Sequence, residues 1–295
     1  MPPSFGERSD LENTNRTRAI MSENIVEFRN VTKTYNVGQP DAFTAIRDIT
    51  FQIEDLHGHG EFISVLGPSG SGKSTILRLL AGLEPQHPAT SGKVLVAGKP
   101  VMGPGADRGM VFQDYTSFDN RTVLDNVAFG LECRGVSRSE RHAKARDWIA
   151  RVGLNVDTDA GKYPHELSGG MRQRVAIART LILHPRIILM DEPFGALDPH
   201  NRYQMQDLLV TLWREVEATV FFVTHSIEEA VYLGDRVFIL SRSPGTLLHQ
   251  IAVPAPDRPA AVMQREPEFQ EKVFQIRDIL EELESPRDKS VASSS

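Results

Sequence analysis

Four short stretches of this chain carry residue types that can act on a phosphate anhydride. Gly67-Pro68-Ser69-Gly70-Ser71-Gly72-Lys73-Ser74 fits the P-loop pattern. Its glycines let backbone N–H groups converge on phosphate oxygens with no Cβ in the way. Lys73 is placed to contact β- and γ-phosphates, and the Ser74 hydroxyl to ligate Mg²⁺. Thr75 carries the motif into a helix, whose N-terminus adds partial positive charge. Ile187-Ile-Leu-Met-Asp191-Glu192 is an apolar run ending in two acids. Asp191 can hold Mg²⁺ through its water shell, and Glu192 can orient and deprotonate an attacking water. Pro193 disfavours helical geometry at Glu192, so that residue is expected to be extended. Leu167-Ser168-Gly169-Gly170 precedes a long helical pattern. The Ser168 hydroxyl, the glycine amides and the helix dipole make a second anion site there. One chain does not need two phosphate sites for one nucleotide, so this site is expected to face the nucleotide of another subunit. Gln113 is the fourth feature, and carries no meaning alone. Each of the others also has a plainer alternative when taken singly: a glycine-rich turn, an acidic strand-to-loop turn, an ordinary capped helix.

Such residues need a scaffold that brings them together. Short apolar runs at Phe62–Leu66, Gly109–Phe112, Ile187–Met190, Val220–Val223 and Val237–Leu240 read as buried strands, several of them followed by chemistry. That is the pattern of a mainly parallel sheet with its sites at strand ends. Ile25–Val31 alternates like a strand, and Ile49–Ile53 follows as another. Between Gln113 and Pro185 the pattern turns helical. Thr122 is an expected N-cap, and Ser137 with Glu140 an expected capping box. Gly153 ends that second helix. Pro254, Pro256 and Pro259 mark a linker, and a last helix starts near Pro267. Its stripe Phe269, Val273, Ile276, Leu280 and Leu283 spans fewer than three heptads and is expected to pack on its own domain, not in a coiled coil.

The chain has 295 residues, of which 40% are hydrophobic, enough for a sizeable core. Its formal charge of -6 gives no electrostatic footprint for nucleic acid. Cys133 is the only cysteine, which excludes an intramolecular disulfide and a cysteine zinc cage. No apolar run approaches the ~20 residues needed to span a bilayer, and the first twenty residues lack a hydrophobic signal core. The expectation is a cytosolic protein that reaches any membrane through a partner.

Leu167-Ser-Gly-Gly170 followed by Met171-Arg-Gln-Arg174 resembles the signature of ABC-transporter ATPases. The resemblance covers roughly Ile25 to Leu247, with the family's motifs in order. It implies an α/β P-loop NTPase fold, a RecA-like mainly parallel core with an antiparallel β edge and an inserted helical subdomain. It also implies ATP and Mg²⁺ as ligands and a head-to-tail homodimer sandwiching two ATP molecules. Tyr35 matches the aromatic that stacks on adenine, and Gln113 the glutamine that senses Mg²⁺ and the water. Asp198, in Ala196-Leu-Asp198, matches an aspartate that communicates across the dimer. His225 matches the switch histidine at the γ-phosphate. The implied organisation is a disordered tail over 1–24, an ATPase domain over 25–247 with its helical subdomain at about 114–184, a linker and helical extension over 248–288, and a disordered tail over 289–295.

Three segments are similar to the nitrate, sulfonate and taurine branch of ABC importers: Gly103-Pro-Gly-Ala-Asp-Arg-Gly-Met-Val-Phe-Gln113, Asp191-Glu-Pro-Phe-Gly-Ala-Leu-Asp198 and Thr224-His-Ser-Ile-Glu-Glu-Ala230. The branch implies uptake of a small anion with an integral-membrane permease and, indirectly, a substrate-binding protein. It implies a peripheral place on the cytoplasmic face of the inner membrane and no nucleic acid partner. Many relatives carry Leu-Pro-Trp after the glutamine, where this chain has Ser117-Phe-Asp-Asn120. The alternative function is a non-transport ABC ATPase acting on nucleic acid or ribosomes. A GTPase or kinase would leave the signature unexplained, and no Asn-Lys-x-Asp guanine motif is present.

Overall fold

A computed structural model describes residues 24–56, 60–114, 116–195 and 197–284. Of the tails expected over 1–24 and 289–295, all but Asn24 lies outside these residues, as does part of the Asp55–Gly60 loop; Asn24 opens the first strand. In chain order the first elements are β1 (Asn24–Tyr35), β2 (Phe43–Glu54), β3 (Phe62–Leu66), α1 (Lys73–Ala81), β4 (Ser91–Val96), β5 (Lys99–Pro100) and β6 (Arg108–Val111). Next come α2 (Val123–Cys133), α3 (Arg138–Arg151), α4 (Val156–Asp159) and α5 (Gly169–Leu181). The chain continues with β7 (Ile187–Asp191), α6 (Pro199–Val216), β8 (Thr219–Val223), α7 (Ile227–Leu233), β9 (Arg236–Leu240), β10 (Leu247–Ala252), α8 (Ala260–Met263) and α9 (Pro267–Glu284).

The five apolar runs read from sequence form one sheet together with β10, ordered β10-β9-β3-β8-β7-β6. All neighbours are parallel except the β10 edge, which runs antiparallel on β9. β3, β7 and β8 are buried along their whole length, which explains their largely apolar sequences. Successive residues serve two cores. Phe62, Ile188, Met190, Val220 and Phe222 face one, against α5, α6, α7 and α9. Ile63, Val65, Ile187, Leu189 and Phe221 face the other, against α1 and a second sheet. That second sheet is antiparallel, ordered β2-β1-β4-β5.

The helical segment follows its capping signals. The Thr122 side chain accepts from Asp125 N, and Ser168 from Met171 N. Ser137 accepts from Glu140 N, while the Glu140 carboxylate takes Lys144 instead of closing the box. Gly153, at φ 74°, follows α3 and donates its N–H to Ala150 O. β4, β5, β10 and the short α8 have no counterpart in the sequence reading. Residues 248–252, expected in the linker, instead join Leu247 in an edge strand of the main sheet. On α9, Phe269, Val273 and Ile276 are buried, with Leu280 and Leu283 packed against the same core.

Candidate functional site

The ends of four parallel strands position the predicted residues. The P-loop follows β3, Gln113 follows β6, Glu192 follows β7 and His225 follows β8. Since β3, β8, β7 and β6 are successive neighbours, these groups emerge along one edge, where ligands bind in open α/β sheets.

The P-loop wraps around Lys73. Its Nζ donates to Gly67 O at 2.8 Å and Pro68 O at 3.1 Å. Burial lowers the Lys73 pKa, while the nearby Glu192 and Asp191 charges pull it back up. Gly72 caps α1 at φ 87° with no side-chain cap, so the first amides of α1 have no competing side-chain acceptor there. A Cβ at Gly72 would sit 2.3 Å from Ile46 Cγ2, so both conformation and space demand glycine.

Behind the loop, Ser74 Oγ donates to Asp191 Oδ1 at 2.8 Å. Burial pushes the Asp191 carboxyl up, against the pull of Ser74 and of Arg78, whose guanidinium lies 3.9 Å away. Arg78 was not foreseen, because an arginine one turn along a P-loop helix has no motif to mark it. The two oxygens of Ser74 and Asp191 form a hard donor pair that suits Mg²⁺, which takes one or two protein oxygens and leaves the rest of its sphere to phosphates and water. Among the described residues no cluster of three His, Cys, Asp or Glu is placed to hold a metal by itself.

Glu192 departs from expectation. It is not extended but sits at φ 49°, in the left-handed region. Its N–H donates to Val223 O, and its carbonyl accepts from Gly195 N in a tight turn, which together override the preference set by Pro193. That turn brings Glu192 Oε1 to 2.6 Å from His225 Nε2.

Two cavities share this pair. One, of about 290 Å³, is lined by Tyr35, Ser69–Thr75, Glu192 and His225. Phe43 and Ala45 also line it; Phe43 lies across the β1–β2 ladder from Tyr35, a register the sequence did not reveal. The Tyr35 hydroxyl is 3.4 Å from Thr75 Oγ1 and the Lys33 ammonium lies over its ring. The other cavity, of about 570 Å³, joins Gln113 to Glu192 and His225. Arg202, Thr224 and Glu229 also line it, and were not anticipated. Burial raises the Glu229 pKa, against a hydrogen bond from Thr224 and the charge of Arg202.

Ser168, Gly169, Gly170 and Asp198 line neither cavity. Ser168 caps α5, and Asp198 accepts from Asn201 N at 3.1 Å at the start of α6.

The family model described as ABC transporter matches residues 46–195, just over half of the sequence. The chain belongs to the ABC transporter family. It is 43% identical over 263 residues to the nitrate import ATP-binding protein NrtD of Synechocystis sp., covering 87% of this chain and 96% of that protein. It is 46% identical over 231 residues to the taurine import ATP-binding protein TauB of Rhizobium johnstonii, covering 77% and 86%. Among solved structures it resembles the ATP-binding cassette MJ0796 in a dimeric post-hydrolysis state bound to ADP and Pi. The TM-score is 0.67 and the identity 33%, over 78% of this chain and 99% of that one. The fold is therefore that of a P-loop ATPase, and the chain is an ATP-binding transport ATPase. The reading as an ATPase acting on nucleic acid or ribosomes does not hold.

Proposed function

We propose that this ABC ATPase drives import of a small organic or inorganic anion, working as a homodimer docked on a membrane permease. The anion class rests on the nitrate and taurine import proteins it resembles. A substrate-binding protein would deliver that anion to the permease, and the ATPase would lie on the cytoplasmic face of the membrane. No described helix is long and apolar enough to cross a membrane, which fits a subunit that needs a spanning partner.

In this reading Ser69–Thr75, with Gly67 and Pro68 bracing Lys73, hold the phosphates, and Tyr35 stacks on adenine. Ser74, Asp191 and Gln113 would hold Mg²⁺, which would supply positive charge toward the phosphates. Glu192 takes the proton of the attacking water, and His225 contacts the γ-phosphate. The observation that carries this assignment is the Glu192–His225 pair, common to both cavities at the P-loop end of the sheet. Ser168, Gly169 and Gly170, which line neither cavity, complete the partner's site, and Asp198 meets the partner beside it. ATP contacts two subunits at once and favours the closed dimer; loss of the γ-phosphate removes that preference. The helical segment over 114–184 carries the motion to the permease, and the loop Ser117–Asn120 meets it.

A mixing experiment tests the shared site. Lys73→Ala and Ser168→Arg chains should each be inactive alone. Mixed, their heterodimers hold one P-loop and one facing signature that are both intact, so ATPase activity should return. Mixtures that stay inactive, although the heterodimer is isolated, would refute a composite site.

A further inference from the structure

Beyond the nucleotide contacts, a half-buried charged pair lines the cavity that holds His225. Glu229, on α7, is 5% exposed at its side chain, and its Oε1 lies 3.4 Å from Arg202 Nε on α6. The Glu229 Oε2 accepts from Thr224 Oγ1 at 2.5 Å. Thr224 Oγ1 in turn accepts from Ser226 N at 3.1 Å. The residues on both sides of His225 therefore hang on one hydroxyl, and that hydroxyl hangs on Glu229. The other end of the chain of contacts is equally defined. Arg202 Nη2 donates to Leu197 O at 3.0 Å, and Arg202 N donates to Asp198 O at 3.0 Å. Arg202 Nε is buried and makes no hydrogen bond among the described residues, so its hold on Glu229 is a contact of charges without hydrogen-bond geometry.

A carboxylate buried as deeply as that of Glu229 needs a reason. With the Arg202 side chain 33% exposed, solvent screening and the desolvation of Glu229 offset most of the attraction, so the pair is weak evidence for stability. It is well suited to fixing one geometry in preference to others. Here the geometry fixed is the strand-end turn that sets His225 2.6 Å from Glu192. We propose that Arg202 and Glu229 are positioning residues for ATP hydrolysis: the pair holds His225 against Glu192 and ties that placement to the Leu197–Asp198 segment. This rests on the reading of His225 and Glu192 as acting in hydrolysis. Movement of the Leu197–Asp198 segment on meeting a partner subunit would then reach the subunit's own His225 through three side chains, Arg202, Glu229 and Thr224.

The test uses the full chain and its steady-state ATPase, with nucleotide affinity followed by a fluorescent ATP analogue. Arg202→Met should lower kcat about tenfold, within the range for directly coupled neighbours, and leave KM and affinity unchanged. In a His225→Ala background the same substitution should cause no further loss, because the group it positions is gone. Losses that multiply would overturn the proposal, as would a fall in affinity that tracks the fall in kcat. Arg202→Lys keeps the charge but cannot span both Glu229 and Leu197 O, and covers the case in which the Met variant fails to fold. It should give an intermediate kcat, again with no added loss beside His225→Ala, and wild-type kcat in both Arg202→Lys and Glu229→Gln would overturn the proposal. Normal turnover in His225→Ala by itself would remove the underlying reading, and the proposal with it.

Discussion

His225 Nε2 lies 2.6 Å from Glu192 Oε1, so two residues that are 33 apart in sequence meet at the ends of neighbouring strands. The contact depends on the left-handed turn at Glu192. A base held this way is aimed by the backbone and by its imidazole partner at once. Glu192→Gln keeps the shape and can still accept from His225 but cannot take a proton. Turnover should fall by about 10²–10⁴, the usual contribution of a positioned general base. ATP affinity should persist, and size-exclusion chromatography with ATP should show a trapped dimer. Near-normal turnover would refute the assigned base.

Lys73 makes a separate prediction. Its ammonium is buried beneath the loop and held by two carbonyls, which aim it where phosphate oxygens would lie. Hydrogen bonds to charged groups contribute about 1.5–3 kcal/mol, so Lys73→Ala should weaken ATP binding by at least about tenfold. The variant should stay folded, since the change removes a partly desolvated charge and Lys73 borders an open cavity, so the space it leaves joins that cavity. Fluorescence titration with a labelled ATP checks this; unchanged affinity would count against the P-loop assignment.

The central parallel strands were legible because they are covered on both faces and so written in runs of apolar residues, as in Ile187–Met190 and Val220–Val223. β4 and β10 were not. Ser91, Gly92 and Lys93 open β4 exposed, and β10 is a partly exposed edge strand without clean alternation. The P-loop, Asp191 and Glu192 announce themselves by spacing, while Gln113, Tyr35, Asp198 and His225 needed the family resemblance. Arg202 and Glu229 escaped both, because their partnership joins two helices 27 residues apart and no local pattern encodes it. The geometry of Glu192 was misjudged for a similar reason. Pro193 sets a local preference, but the bond from Glu192 N to Val223 O comes from the neighbouring strand and wins.

Asp191 gives a pH signature. Burial raises its pKa in the folded state above the unfolded value. The native state then binds the proton more tightly than the unfolded chain does. The resulting stabilisation is complete below the unfolded pKa and is lost as pH rises through the folded one. Asp191→Asn carries no charge to desolvate and escapes that loss. Without nucleotide or Mg²⁺, its Tm should exceed that of the wild type near pH 7, and the gap should close as pH falls below about 4, the ordinary carboxylate value. Thermal melts across this range check it, and a gap that does not vary with pH would contradict it. The same variant should lose the Mg²⁺-dependent part of its ATP affinity.

The C-terminal helix α9 separates burial from charge at adjacent positions. Ile276 is fully buried, in the core that also holds residues of α7 and the parallel sheet. Arg277 instead pairs with Glu228 at 3.2 Å, both side chains 40% exposed. Ile276→Ala removes buried carbon from a packed site and should cost about 2–5 kcal/mol. Arg277→Ala breaks a solvent-screened pair and should cost no more than about 1 kcal/mol. Urea unfolding followed by tryptophan fluorescence distinguishes them, because Trp213 lies in the same core as Ile276. The midpoint should fall sharply for Ile276→Ala and hardly for Arg277→Ala. If α9 were an appendage loosely attached to the ATPase core, the Ile276 change would leave the main transition where it stands in the wild type.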